Sequence, residues 1–404
     1  MRRCILHFGM HKTGSSAIQS YLFEHPPTDP TRWTYLHFGH ANSSGSVQKL
    51  HSRQATRKIA RAGGHPARLA AAQARLQAQL EQALAQAPAD TLILSAEGLT
   101  HLQEPELDAL VQTLRRHVDV VQAVGYLRPV ASHMDSAQQQ LIRGGGHRFV
   151  PSASFPRYRT QLEKFERVLG RDQVQYWPYE PSTFPDGCVV QDFLQRLGLT
   201  PLPGAQPRVN ERLSADALSL LYVLQHAALV PAKQKDTRAI RDRLIQQLIR
   251  LQGPRMTLDP VLVAGLMAQH RDEIEWAQAR VAIPLDTPQA ASAGLRQVAT
   301  EADLLRPGPE AVRWLSAQLG TPLAEDAPLP VLEGALFQLW RRLEAEASGQ
   351  PAPALLSGVE LARAVRRAQR EAKRTKRRQI QRRREALQAK DQTPPASAPG
   401  AAAA

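Results

Sequence analysis

Cysteine is scarce in this chain of 404 residues: Cys4 and Cys188 are the only two. That is too few for a disulfide framework over such a length, so a reducing compartment, the cytoplasm, is expected. Aromatic residues make up only 5%. Long apolar runs are missing as well, and no segment approaches the ~20 residues needed to cross a bilayer. The apolar stretch 4–10 behind Met1-Arg2-Arg3 is broken by His7 and runs on without a small-residue cleavage site. It therefore reads as a first strand rather than a signal peptide. Acidic residues are nearly absent from 363–390, where 13 Lys/Arg stand against Glu371 and Glu385 alone. The formal net charge of +14 thus belongs mostly to this tail, and the body of the chain is close to neutral.

What is present is ordinary for a globular protein, with 43% hydrophobic and 22% charged residues, which excludes a wholly disordered or fibrous chain. The 30 prolines and 24 glycines divide it into many elements. Apolar runs at 3–8, 33–38, 91–94, 118–127 and 173–177 predict strands. Helical patterns fall at 14–22, 66–87, 105–117, 131–143, 155–169 and 189–197. This alternation predicts an α/β fold, a parallel sheet covered by helices on both faces. Residues 42–64 are polar, Ser/Gly-rich and basic and predict a mobile loop. From Ser214 the pattern turns all-helical, with helices near 236–251, 260–281 and 331–347, so the sheet domain carries a helical C-terminal extension. Residues 363–390 have helix-forming composition with little apolar periodicity, leaving a charged helix or a disordered segment open. The Pro/Ala-rich end, 393–404, reads as disordered.

The chemically informative segment is Gly9-Met10-His11-Lys12-Thr13-Gly14-Ser15-Ser16, set between a strand and a helix. Glycines let the backbone curl with its amides inward, the helix N-terminus adds the positive end of a dipole, and Lys12 adds a full charge: an anion cradle. The glycine spacing matches the phosphate loop G-x-x-x-x-G-K-[ST], but Ser15 stands where that motif has lysine and Lys12 lies inside the loop. A magnesium-dependent nucleotidase is disfavoured on that ground. A second constellation follows strand 118–127. Arg128 sits at its carboxyl end, where open α/β sheets bind ligands, and Ser132, Ser136 and Gln140 lie on the next helix. An arginine fork with a hydroxyl suits a phosphate monoester.

With both constellations in view, the chain resembles the sulfotransferases that use 3′-phosphoadenosine-5′-phosphosulfate (PAPS), their bacterial members in particular, over about residues 1–285. The resemblance rests on the loop from Ile5 to Ser16 and on Arg128-Pro129 with Ser136 eight positions on. Val174 to Glu180, Asp192-Phe193-Leu194, Leu197-Gly198-Leu199 and Val209-Asn210-Glu211-Arg212-Leu213-Ser214 add to it. The loop departs from the family in ending Gly-Ser-Ser where Gly-Thr-Thr is usual. The Arg-Lys-Gly cofactor loop of animal enzymes has no counterpart, Arg143-Gly144-Gly145-Gly146 lying in the wrong place.

The resemblance implies sulfuryl transfer from PAPS to a hydroxyl or amine of a glycan or small metabolite, without a metal. Lys12 is the candidate for the leaving oxygen. His11, Lys12, Thr13, Gly14, Ser15 and Ser16 would hold the 5′-phosphate, and Arg128 and Ser136 the 3′-phosphate. Glu97, after the third strand, is the candidate base, with His40, His11 and His101 as alternatives. Domains are expected at 1–285, 286–355 and 356–404. Two other function classes stay open: a P-loop kinase-like enzyme, and a non-catalytic protein acting through its tail. The tail's cations suit polyanions such as RNA, acidic lipid or anionic polysaccharide, but without Phe, Tyr or Trp they cannot stack on bases.

Overall fold

The computed structural model describes residues 1–10, 12–54, 56–57, 66–145, 148–199, 213–227, 235–287, 294–356 and 358–391. In chain order the elements are β1 (Arg3–His7), α1 (Ser15–Glu24), β2 (Thr34–Tyr35), α2 (Ser44–His51), α3 (Pro66–Gln86), β3 (Thr91–Ser95), α4 (Glu104–Arg115), β4 (Val120–Leu127), α5 (Val130–Arg143), α6 (Tyr158–Leu169), β5 (Val174–Pro178) and α7 (Val189–Arg196). Then come α8 (Ala215–His226), α9 (Lys235–Leu248), β6 (Arg255–Leu258), α10 (Pro260–Gln269), α11 (Arg271–Gln278), β7 (Leu295–Val298), α12 (Glu301–Leu304), α13 (Pro309–Leu319), α14 (Leu329–Ala347) and α15 (Gly358–Asp391).

Five strands form one sheet in the order β2-β3-β1-β4-β5, every pair parallel. Strands β1 and β3 are buried along nearly their whole length, as a sheet covered on both faces requires. On one face Ile5, Val124 and Trp177 of the sheet pack with Ile18 and Leu22 of α1 and Phe193 of α7. Each such side chain contributes roughly 1.5–3 kcal/mol by leaving water. The α/β fold expected from the alternation of patterns is the fold observed.

The chain divides into two compact units. The first comprises Met1–Leu218 and Gln252–Leu304 and contains the whole sheet; the second comprises Ser219–Leu251 and Leu305–Ala404. In the second, α14 is the central helix, packed by α9, α13 and α15, with Leu336, Leu339, Trp340 and Leu343 buried.

Three expectations are corrected. Residues 42–64 are not simply a loop: Ser44–His51 is a helix, because Val47 finds a buried seat that composition does not announce. Residues 55 and 58–64 of that stretch lie outside the described residues. The region after Ser214 is not all-helical: β6 and β7 pair in parallel, and the buried Asp135 carboxylate accepts from Leu258 N (2.7 Å) and Thr257 Oγ1 (2.8 Å). Neither four-residue strand has enough length to show a period. The single helix expected over 260–281 is two, divided at His270 (φ −123°, ψ 36°) with no proline or glycine to mark the break. The tail question resolves as a helix, α15.

Gly125 in β4 is demanded by space. A Cβ there would lie 2.1 Å from Cε2 of Phe8, a fully buried ring. Gly125→Ala is expected to lower the free energy of unfolding by ~1–3 kcal/mol through overpacking, read from the urea midpoint at unchanged m-value; an unchanged midpoint would show that Phe8 can move aside.

Candidate functional site

Three strand ends converge at the carboxyl edge of the sheet. Strand β1 lies between β3 and β4, with His7 level with Ser95 on one side and Val124 on the other. The segments that follow are therefore neighbours: the Gly9–Gly14 loop after β1, Glu97 after β3, and Arg128 after β4.

Backbone conformation shapes the loop. Lys12 is left-handed (φ 67°) although it is not glycine, and Gly14 follows at φ 80°. A Cβ at Gly14 would lie 2.6 Å from Val189, so glycine is required there twice over. The hydroxyl of Thr13 donates to Met10 O (2.6 Å) and that of Ser15 to the same oxygen (3.3 Å). Both side chains are buried and hold the turn from inside. Ser16, in the first turn of α1, is exposed. With Gly14 as its N-cap, α1 begins without a side-chain cap, an arrangement suited to an anion.

Arg128 ties the second constellation to the first. Its Nη1 donates to the carbonyl of Lys12 (2.9 Å) and its Nε to Ser132 Oγ (2.9 Å). The guanidinium lies over the ring of Tyr179, 5.3 Å from the centroid, and Tyr158 donates its hydroxyl to the Arg128 carbonyl. Ser136 is half-buried one helical turn past Ser132, on the same face of α5. Tyr179 and Tyr158 were not singled out from sequence. The strand-end rule that selected Arg128 applies equally to Tyr179, the residue after β5.

Glu97 opens a short 3-10 turn, Glu97–His101. A Cβ on Gly9 would lie 2.5 Å from Ser15 Oγ and 3.5 Å from Glu97 Cγ, so the glutamate packs against the loop. Burial raises its carboxyl above the ordinary value, and the nearby Lys12 ammonium opposes that rise. The turn is clamped at both ends. Gly98 N donates to Ser44 Oγ of α2 (3.0 Å), and the buried Lys164 donates to the carbonyls of Thr100 (2.6 Å) and Leu102 (2.5 Å). Burial pulls the Lys164 ammonium down to about 8. The other candidates lie elsewhere. His101 is exposed at the far end of the turn, His40 is exposed beyond β2, and His11 lies outside the described residues.

Beneath the loop is a buried polar layer. His7, fully buried, pairs through Nδ1 with Ser95 Oγ (2.7 Å), and Gln19 Nε2 donates to the same oxygen (3.2 Å). The His7 ring rests on Phe193 with centroids 4.9 Å apart. Burial lowers its pKa to about 3, so it is neutral at physiological pH and contributes hydrogen bonding and packing rather than charge.

No family model matches the chain, and no curated protein matches it. Among solved structures, a sulfotransferase from Alicyclobacillus acidocaldarius is similar at 15% identity and a TM-score of 0.32, over 59% of this chain and 99% of that one. Similarity of that degree decides nothing about chemistry.

His7 has a measurable consequence. The unfolded chain takes up its proton near pH 6.5, the folded chain only near 3. Stability contributed by the neutral ring is therefore complete above pH 6.5 and falls on acidification by up to about 1.4 kcal/mol per pH unit through that window. His7→Asn is expected to flatten the pH dependence of unfolding between 6.5 and 3 relative to wild type, followed by urea titrations at each pH. Parallel curves would place the ring in contact with water.

Proposed function

We propose that the chain is a PAPS-dependent sulfotransferase acting on a hydroxyl or amine of a glycan or small metabolite. The observation that carries the reading is the hydrogen bond from Arg128 Nη1 to the Lys12 carbonyl. It brings two anion-binding segments, 116 positions apart in sequence, to one edge of the sheet. A nucleotide with a charged group at each end of its sugar needs two such sites at a set separation; a simple phosphate needs one.

The residues fit such a group on their own geometry. The left-handed Lys12-to-Gly14 turn and the start of α1 form a cradle for the 5′-phosphate, with Ser16 in its first turn. Thr13 and Ser15 serve it indirectly, because their hydroxyls are spent on Met10 O. Arg128, steadied by Ser132 and Tyr179, with Ser136 one turn on, would hold the 3′-phosphate, and that contact separates the donor from ATP. PAPS, when bound, supplies the sulfuryl group and a phosphate leaving group. The Lys12 ammonium would offset the negative charge gathering on the leaving oxygen. The Glu97 carboxylate would take the acceptor's proton. Its raised pKa makes it a stronger base than an exposed glutamate, and its clamped turn keeps it directed at the loop. The Lys12–Glu97 attraction serves both, since each charge lowers the cost of burying the other.

Melting temperature with 3′-phosphoadenosine-5′-phosphate, and separately with Mg-ATP, tests the donor site. The former is expected to raise Tm by several degrees in wild type and to lose that effect in Arg128→Ala. A shift confined to Mg-ATP would replace this reading by a kinase. Glu97→Gln separates binding from chemistry: the Tm shift is expected to persist while kcat for sulfuryl transfer falls ~100-fold or more. The acidic limb of the wild-type rate profile should lie above the ordinary carboxylate range and vanish in that variant. An unchanged kcat would move the base elsewhere.

A further inference from the structure

Helix α15 carries charge that the proposed chemistry does not use. Arg363, Arg367, Arg370, Arg374 and Arg377 recur at alternating steps of four and three, with Arg366 and Arg378 alongside, and all of these side chains are exposed. At 100° per residue they fall within an arc of about 120°, along about 22 Å of helix. The opposite side holds Leu361, Ala364, Val365 and Ala368, all half-buried. Leu361 reaches α14 so closely that a Cβ on Gly334 would lie 2.8 Å from its Cδ2. The helix is thus seated on α14 by its small apolar side, and the arginine side is turned outward.

Such a stripe opposes its own helix. Cations at i,i+3 and i,i+4 repel by ~0.2–0.5 kcal/mol per pair, and the stretch from Arg363 to Arg378 contains only Glu371 as a counter-charge. A polyanion laid along the stripe removes that repulsion, so binding and helix stability are coupled.

The chemistry of the stripe narrows the choice of polyanion. Residues 358–391 contain no aromatic side chain, so single strands that bind by base stacking gain nothing here. A membrane surface would need several large apolar residues beside the cations; among the described side chains this helix exposes one, Val359, at its start, and Leu361 is turned to α14. A single extended polysaccharide needs only a narrow line of charge, whereas a 120° arc on a cylinder about 10–12 Å across can address two walls at once. The major groove of B-form DNA, about 12 Å wide, presents such walls, with phosphates along both rims. Arginine, which dominates the stripe over lysine, is the side chain that pairs bidentately with phosphate. We propose that α15 is a docking surface for the backbone of duplex DNA, indifferent to base sequence.

The test uses the full chain and fluorescein-labelled 20-base-pair duplexes of two unrelated sequences, followed by anisotropy from 50 to 200 mM NaCl. Both duplexes are expected to bind within about threefold of each other, with log K falling against log salt at a slope of about −4 to −6, up to 0.9 per phosphate neutralised. Arg370→Gln, Arg374→Gln and Arg377→Gln combined should weaken binding at least ~10-fold and reduce the slope by about 3. Glutamine's helix propensity is close to that of arginine and the change removes like-charge pairs, so the variant's Tm should be no lower than that of wild type, and any Tm shift with 3′-phosphoadenosine-5′-phosphate should be unchanged. The corresponding triple lysine variant should keep most of the affinity. Helical circular dichroism of the wild type should rise on adding duplex. Absence of binding at 50 mM NaCl, or equal binding by the triple glutamine variant, would overturn the proposal. So would tighter binding of a sulfated polysaccharide or of anionic lipid vesicles than of duplex at equal total charge, with the partner then reassigned to that class.

Discussion

Strand β1 gives its backbone hydrogen bonds to parallel neighbours on both edges, pairing with β3 from Arg3 to His7 and with β4 over the same residues. Because the three strands run the same way, the segments leaving them emerge at the same edge. Everything charged in the site descends from that pairing. Lys12 follows β1, Glu97 follows β3 and Arg128 follows β4, so three groups from distant parts of the chain come together before any side-chain contact is made. A register slip of one residue would turn every side chain of β1 to the opposite face, exchanging the buried His7 with its apolar neighbours.

Beneath the loop, positions on this edge are held largely by neutral groups. His7, Ser95 and Gln19 form the layer under the loop, with His7 neutral by virtue of its burial. The hydroxyls of Thr13 and Ser15 turn inward to a carbonyl. Lys164 is the exception, a buried cation whose donors meet carbonyl oxygens at the end of the Glu97 turn. Its lowered pKa records the cost of that burial. A catalytic carboxylate gains from such rigidity, since a base must stay within hydrogen-bond reach of the proton it removes.

The second unit follows a different electrostatic rule. Around α14 it is built as a helical pack, and from Arg363 to Arg378 its last helix carries many cations against a single acid, Glu371. Surface helices ordinarily intersperse the two signs, because opposite charges at i,i+4 stabilise the helix and like charges oppose it. Departure from that rule over four turns is a local cost to the helix.

Much of this was legible before the structure. The alternation of strand and helix patterns announced a parallel α/β sheet, and the strand-end positions of the Gly9–Gly14 loop and Arg128 placed both at its carboxyl edge. Ser44–His51 was not legible as a helix, because its single strongly buried apolar residue, Val47, leaves no period to read. The β6–β7 pair was hidden for a related reason: its strands are short, and β6 is tied to the Asp135 carboxylate, more than a hundred positions away. Tyr179 had its strand-end position as a signal, whereas Lys164 carried none. Near neighbours along the chain account for the periodicity, the glycines that permit a left-handed turn, and the run of arginines on one helical face. Long-range packing alone brings Arg128 to the Lys12 carbonyl, Glu97 against Gly9, and Lys164 onto the far end of the Glu97 turn. Those contacts depend on which strands pair and in what register, and burial energy settles that over the whole chain at once.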